Sequence, residues 1–187
     1  MRLLGIVGVR VCLIGQSTLS WNSTGKLFKR ANKLLLVCCS MPYAEAIIAE
    51  SMRMSSIVPF GPFHTAMKDT KFHGYDIPKD TMVVSNLHFI HHDKRIWGNP
   101  EEFQPERFLS ADGKTLKKHD ALMPFGVGKR QCLGETLARD TTFLYFTTIF
   151  HRYSIRLADE SLDVSLEPTQ GFLLAPQKFQ VVMQERL

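Results

Sequence analysis

The chain has 187 residues, 44% hydrophobic and 22% charged, with a formal net charge of +5 and a pI near 9.1. This is the range of soluble globular chains with one core, so composition by itself names no function. The basic residues are scattered, with no dense run or arginine-rich helix face, which argues for a solvated surface and against nucleic acid; an acidic protein face or an anionic membrane surface would also suit the charge.

Residues 1–14 are an apolar opening that Arg10 interrupts, with the rough outline of a signal or anchor segment but too short to span a bilayer. A Ser/Thr/Asn-rich stretch from Ser17 to Thr24 holds a glycosylation sequon at Asn22, by pattern only. A short basic and apolar run leads to Cys39. Cys12, Cys38, Cys39 and Cys132 have neither zinc-like paired spacing nor the density of a disulfide framework, which suits a reduced, intracellular setting. Cys38 and Cys39 read as small buried hydrophobes.

From Met41 the character changes. Pro42 stands where a first-turn proline belongs, and the helix formers Ala44 to Met54 predict about three turns with apolar positions at Ala46, Ile47 and Met54. Val58-Pro59 and Gly61-Pro62 break this helix into an extended segment. Lys71 to Asn86 predicts a small sheet around turns, with a hairpin in Gly74 to Lys79 and a β-rich Thr81 to Ser85. Asp93 to Met123 shows little periodicity and predicts a long irregular loop, which base rates make functional or disordered. Gly134 to Phe150 predicts a long helix with Leu137, Thr141, Leu144, Tyr145 and Thr148 on one face. Short strands are expected at Tyr153 to Leu157, Phe172 to Leu174 and Phe179 to Met183.

Between loop and last helix lies Pro124-Phe125-Gly126-Val127-Gly128-Lys129-Arg130-Gln131-Cys132-Leu133-Gly134-Glu135. It contains Phe-x-x-Gly-x-Arg-x-Cys-x-Gly intact, five fixed positions that arise by chance in fewer than about one in ten thousand chains this long. An arbitrary cysteine beside a glycine-rich turn is a buried free thiol, and an arbitrary loop arginine is a solvated charge. The whole pattern points elsewhere. A cysteine at the mouth of a helix has its thiolate favoured by the helix dipole and free amide groups. Gly126 and Gly128 permit a tight turn with positive φ, and Gly134 lets backbone approach a flat ligand. If that ligand is an iron porphyrin, Phe125 shields the sulfur from water and Arg130 supplies a charge-assisted hydrogen bond to a propionate.

This segment resembles the haem-binding loop of the cytochrome P450 monooxygenases. Two further constellations follow the family's order. Glu50-Ser51-Met52-Arg53 puts a carboxylate and a guanidinium on one helix face, which alone reads as a surface ion pair. Phe103-Gln104-Pro105-Glu106-Arg107-Phe108 resembles the family's Pro-Glu-Arg-Phe element. The resemblance implies a buried triad of Glu50, Arg53 and Arg107, with Arg107 as a planar fork on the carboxylate, supporting the pocket rather than doing chemistry. The Trp97-Gly98-Asn99-Pro100 turn and the Gly74 to Lys79 hairpin are similar to animal microsomal members, so the likeness covers residues 41–187. It implies haem with Cys132 as axial thiolate and His64, Phe125, Gly126, Gly128, Arg130, Gly134 and Ala138 at the cofactor. It also implies Ile57, Val58, Phe60, Phe172 and Leu173 at the substrate. Without the resemblance, the apolar residues read equally well as core and His64 as a surface histidine.

The fold class expected is mainly α with small β-sheets, an incomplete carboxyl-terminal part of the P450 fold. Residues 1–40 form an unassigned leader without family resemblance. The family's long helix with an acid and a threonine at the oxygen site has no counterpart there. Ala138 to Thr142 imitates that element but follows Cys132, on the thiolate side. The chain therefore reads as truncated, a fragment or an alternative product. The function implied is oxidation of an apolar organic substrate with O2 and NADPH-derived electrons from a flavoprotein reductase, at the cytosolic face of the endoplasmic reticulum membrane. Lys117, Lys118, Lys129 and Arg139 near the thiolate side would meet that reductase. The alternative is a non-catalytic fragment that binds haem weakly or not at all and serves as an interaction protein.

Overall fold

The structure, a computed structural model, describes residues 41–159, 161, 165–169 and 171–186. The expectations for Cys12, Asn22, Cys38, Cys39 and the apolar opening lie outside the described residues. Helix α1, Pro42–Ser55, begins with proline in its first turn and carries Glu45 at its start and Arg53 at its end, each matched to the helix dipole. It stops at Ser56, whose left-handed φ of 36° turns its amide back onto Met52 O.

Two apolar clusters meet on α1. On one side Ala44 and Ile48 pack against Phe143 and Phe146, with Met41, Ile47, Met52 and Phe150 around them. On the other, Ala46 and Ala49 pack against Trp97 and Phe108, with Leu109, Ala121 and Leu122 alongside. In the second cluster both buried α1 residues are alanine, which lets Trp97 and Phe108 approach the helix closely, whereas in the first Ile48 joins Ala44. The helix is thus the spine of the described fold. Met54, expected on the apolar face, is only partly buried, while the polar Glu50 and Arg53 are fully buried.

After α1 come three antiparallel pairings of short strands. β1, His64–Thr65, pairs with β4, Met82–Val83. β2, Thr70–Phe72, pairs with β3, Tyr75–Ile77, across His73 and Gly74, whose φ values of 48° and 87° give the doubly left-handed turn that matches strand twist. The stretch expected to be irregular contains more structure than its sequence suggested. Helix α2, Leu87–His92, capped by Asn86, precedes that stretch; within it helix α3, Lys94–Trp97, is capped by Asp93, and a 3-10 turn forms at Pro105–Phe108. These pieces are too short for a periodic signal, and their caps and tertiary partners sustain them.

A second 3-10 turn, Gly128–Arg130, precedes helix α4, Glu135–Arg152. Its buried side chains are Phe143, Phe146 and Thr147. Leu137 and Tyr145, on the face expected to be internal, are 71% and 62% exposed. The stripe chosen is the one that α1 covers. Strand β5, Tyr153–Leu157, runs straight on from α4 and pairs with β6, Val181–Glu185. Phe172 to Leu174 forms no strand but a bend, closed by a bridge between Thr169 and Ala175.

Candidate functional site

The first site element is an ionic knot. Arg53 donates from Nε and Nη2 to the two carboxylate oxygens of Glu50 at 2.7 and 2.9 Å. The same guanidinium donates to the carbonyls of His91 and Pro100, each at 2.7 Å, and lies 5.2 Å from the Trp97 ring. Glu50 also accepts the Gln104 amide at 3.0 Å. Every charge in this buried pair is met by hydrogen bonds, the condition under which such a pair is tolerated. Arg107 joins differently from expectation. Its Nε lies 3.4 Å from Glu50 Oε1, while its fork donates to the carbonyls of Trp97 and, at 2.6 Å, Asn99. The bidentate partner of Glu50 is therefore Arg53, and Arg107 pins the Trp97 to Asn99 turn beside them.

The second element is the cysteine loop. Gly126 and Gly128 have φ of 73° and 71°, and nothing lies within 4 Å of a Cβ at either, so backbone conformation rather than crowding demands glycine. The Cys132 amide donates to Phe125 O at 2.9 Å, which folds the loop back and leaves the thiol exposed at the mouth of α4. A Cβ at Gly134 would touch Cys132 Sγ at an ordinary 3.8 Å, so no described protein atom requires glycine there. Gly134 and Ala138 lie one turn apart, joined by a 2.9 Å hydrogen bond from Ala138 N to Gly134 O. Leu133 and Leu137 beside them are exposed. A soft sulfur ligand, small residues around it and exposed apolar flanks fit one face of a flat apolar macrocycle such as haem.

Phe125 is held from the other side. Arg139 lies 5.3 Å from its ring and donates to Glu135 at 2.7 Å, while Gln131 hydrogen-bonds the second Glu135 oxygen. Burial pushes the Glu135 carboxyl up, but the hydrogen bonds from Arg139 and Gln131 and the charges of Arg139 and Lys118 bring it below its usual range. Arg130 is exposed, and among the described residues no carboxylate pairs with it.

Two segments expected at the substrate are brought together: the Leu174 amide donates to Ile57 O at 2.8 Å, so the bend of Phe172 and Leu173 lies beside Ile57 and Val58. Val58, Phe60, Phe172 and Leu173 are exposed and Ile57 is partly buried. They form no closed core. His64 is exposed on β1, across from Val83. Sequence reasoning passed over His91, fully buried between Ser56 and Met123. It stands in a run with His88 and His92, and nothing in the spacing separates the buried ring from its neighbours.

Residues 38–183 match the family described as Cytochrome P450. The chain belongs to the cytochrome P450 family. It is 44% identical over 142 residues to human cytochrome P450 2S1, an alignment covering 75% of this chain and 28% of that protein. Rat cytochrome P450 2B2 is 43% identical over 147 residues, covering 78% and 30%. The farnesoate epoxidase of Bombyx mori is 38% identical over 155 residues, covering 83% and 31%. This P450 chain thus spans under a third of the length of those relatives. The mixed helical fold with small sheets agrees with part of a P450 domain, and family membership implies a haem cofactor. Among the described residues no helix is long and apolar enough to cross a membrane.

Proposed function

We propose that this chain supplies the thiolate side of a P450 haem pocket and that the protein carrying it oxidises an apolar organic substrate with O2. The observation behind this reading is an exposed cysteine at the mouth of α4, inside an intact haem-loop motif, in a chain of this family. Haem held by a cysteine thiolate would supply the oxygen-activating chemistry. The residues of this chain hold and orient it. Cys132 provides the thiolate, Gly134 and Ala138 leave room for the ring, and Gly126 and Gly128 shape the turn that presents the sulfur. With haem bound, Phe125, steadied by Arg139, would keep water from the sulfur. Arg130 would bind a propionate, and His64 would approach a propionate. Glu50, Arg53 and Arg107 hold the surrounding turns in place. Ile57, Val58, Phe60, Phe172 and Leu173 meet the substrate, whose apolar character matches theirs.

Electrons come from NADPH through a flavoprotein reductase whose acidic face meets Lys117, Lys118 and Lys129. Arg139 contributes less than its formal charge suggests, because Glu135 neutralises it. The protein works at the cytosolic face of the endoplasmic reticulum membrane, in the manner of microsomal P450s.

The test is spectroscopic. The chain loaded with haem, reduced and exposed to carbon monoxide is expected to give the strongly red-shifted Soret band of a thiolate-ligated iron, and Cys132→Ala to abolish it. A wild-type chain that retains haem without that band, or an alanine variant that keeps it, contradicts the assignment. The exposure of the substrate-facing residues favours a second reading, an interaction protein that binds haem weakly or not at all. Failure of the wild-type chain to retain haem would favour that reading.

A further inference from the structure

We propose that His91 is a positioning residue that ties the Glu50, Arg53 and Arg107 knot to the loop presenting Cys132, with one ring nitrogen bonded to Ser56 and the other to the Met123 amide. His91 is fully buried at the end of α2, remote in sequence from both. Its Nε2 lies 3.1 Å from the Met123 nitrogen, an N–H that can only donate, so Nε2 accepts. The ring proton of the neutral tautomer is then on Nδ1 and is donated to Ser56 Oγ at 2.9 Å. Ser56 passes the bond on, its hydroxyl donating to Arg53 O at 2.9 Å. The His91 carbonyl accepts from the Arg53 guanidinium at 2.7 Å, so backbone and ring of one residue both engage the knot.

Beyond Met123 the connection continues. The Met123 carbonyl accepts the Gly126 amide at 3.0 Å, closing the turn that places Phe125, and Phe125 O accepts the Cys132 amide at 2.9 Å. Hydrogen bonds, joined through the covalent frames of His91 and Met123, thus connect the buried guanidinium to the backbone of the cysteine. The left-handed Ser56, unusual for a residue with a side chain, puts its hydroxyl where the ring can reach it. Burial and the nearby charges of His92, Arg53 and His88 keep the ring neutral, and a second ring proton would face the Met123 N–H.

Each half of the tie can be removed separately. In His91→Gln the amide oxygen replaces Nε2 as acceptor for Met123, whereas in His91→Asn the shorter side chain reaches only Ser56. Amide exchange of the full chain, followed by peptide mass spectrometry, is expected to show residues 121–126 protected in wild type and in His91→Gln. In His91→Asn they should exchange about tenfold faster or more, while the α1 peptide stays at its wild-type rate. Equal protection of 121–126 in the two variants, or acceleration of α1 to the same degree, would overturn the proposal. Only the consequence for the sulfur rests on the haem-thiolate reading. With haem and carbon monoxide, His91→Asn should lose part of the red-shifted Soret band and His91→Gln should keep it. Localised exchange in His91→Asn without a thiolate band in wild type sinks the haem reading and leaves the tie standing. A thiolate band in wild type with unchanged exchange in His91→Asn sinks the tie alone.

Discussion

At the scale of single residues, the buried Glu50, Arg53, Ser56 and His91 form one hydrogen-bonded group. Arg53 offers donors to Glu50, His91 and Pro100 at once, so shortening it to lysine would leave carbonyls without partners in a buried place. His91 adds a pH dependence. Burial first, then the charges of His92, Arg53 and His88, lower its pKa from 6.5 to about 4. The folded value lies below the unfolded one, so the contribution of the neutral ring is complete above pH 6.5 and is lost as pH falls towards 4. The loss amounts to about 3 kcal/mol over that window. Urea midpoints measured from pH 7.5 to 4.5 should fall steeply in wild type and much less in His91→Gln. Parallel slopes would mean that other groups carry the acid limb. Glu50, Arg53 and Cys132 stood out in the sequence because family motifs mark them. His91, Ser56 and Met123 did not, since their relation exists only where chain segments far apart in sequence meet.

At the scale of elements, α1 serves two clusters at once, and its small residues make that possible. Ala46 is fully buried against Trp97 and Phe108. Ala46→Leu should therefore cost about 1 to 3 kcal/mol by overpacking, read as a lower denaturation midpoint. The equivalent change at the exposed Thr141 of α4 should be close to neutral, and equal effects would mean that α1 is not packed on both sides. The helices α1 and α4 and the strand β5 were legible because proline, helix formers and β-branched residues act within a few positions. The buried face of α4 was not. Its sequence carries apolar residues nearly all round, so Leu137 and Tyr145 compete with Phe143 and Phe146 until α1 covers one pair.

At the scale of the whole molecule, exposed apolar residues occur along most of the described chain, and they include Leu133 and Leu137 beside Cys132 and Phe60 and Phe172 in the segments proposed to meet substrate. The charge follows a different pattern, with Lys117, Lys118 and Lys129 exposed on the loop leading to Cys132. Reversing these three lysines to glutamate in the haem-loaded protein should slow electron delivery from a flavoprotein reductase by tenfold or more at low salt. The defect should shrink as ionic strength rises, because exposed charges are screened over about 10 Å at 0.1 M. An unchanged rate at low salt would place the reductase contact elsewhere.

The sequence alone determined the family and the order of the main elements, and it marked Cys132 as the proposed thiolate. Each rests on residues close together in the chain, where spacing and local conformational preference are enough. Only the tertiary structure decided that Arg53 rather than Arg107 grips Glu50 with both arms, which face of α4 is internal, and that His91 lies between the knot and the cysteine loop. Those outcomes depend on which segments become neighbours. A hydrogen bond between distant segments leaves no periodicity or composition behind by which the sequence could reveal it.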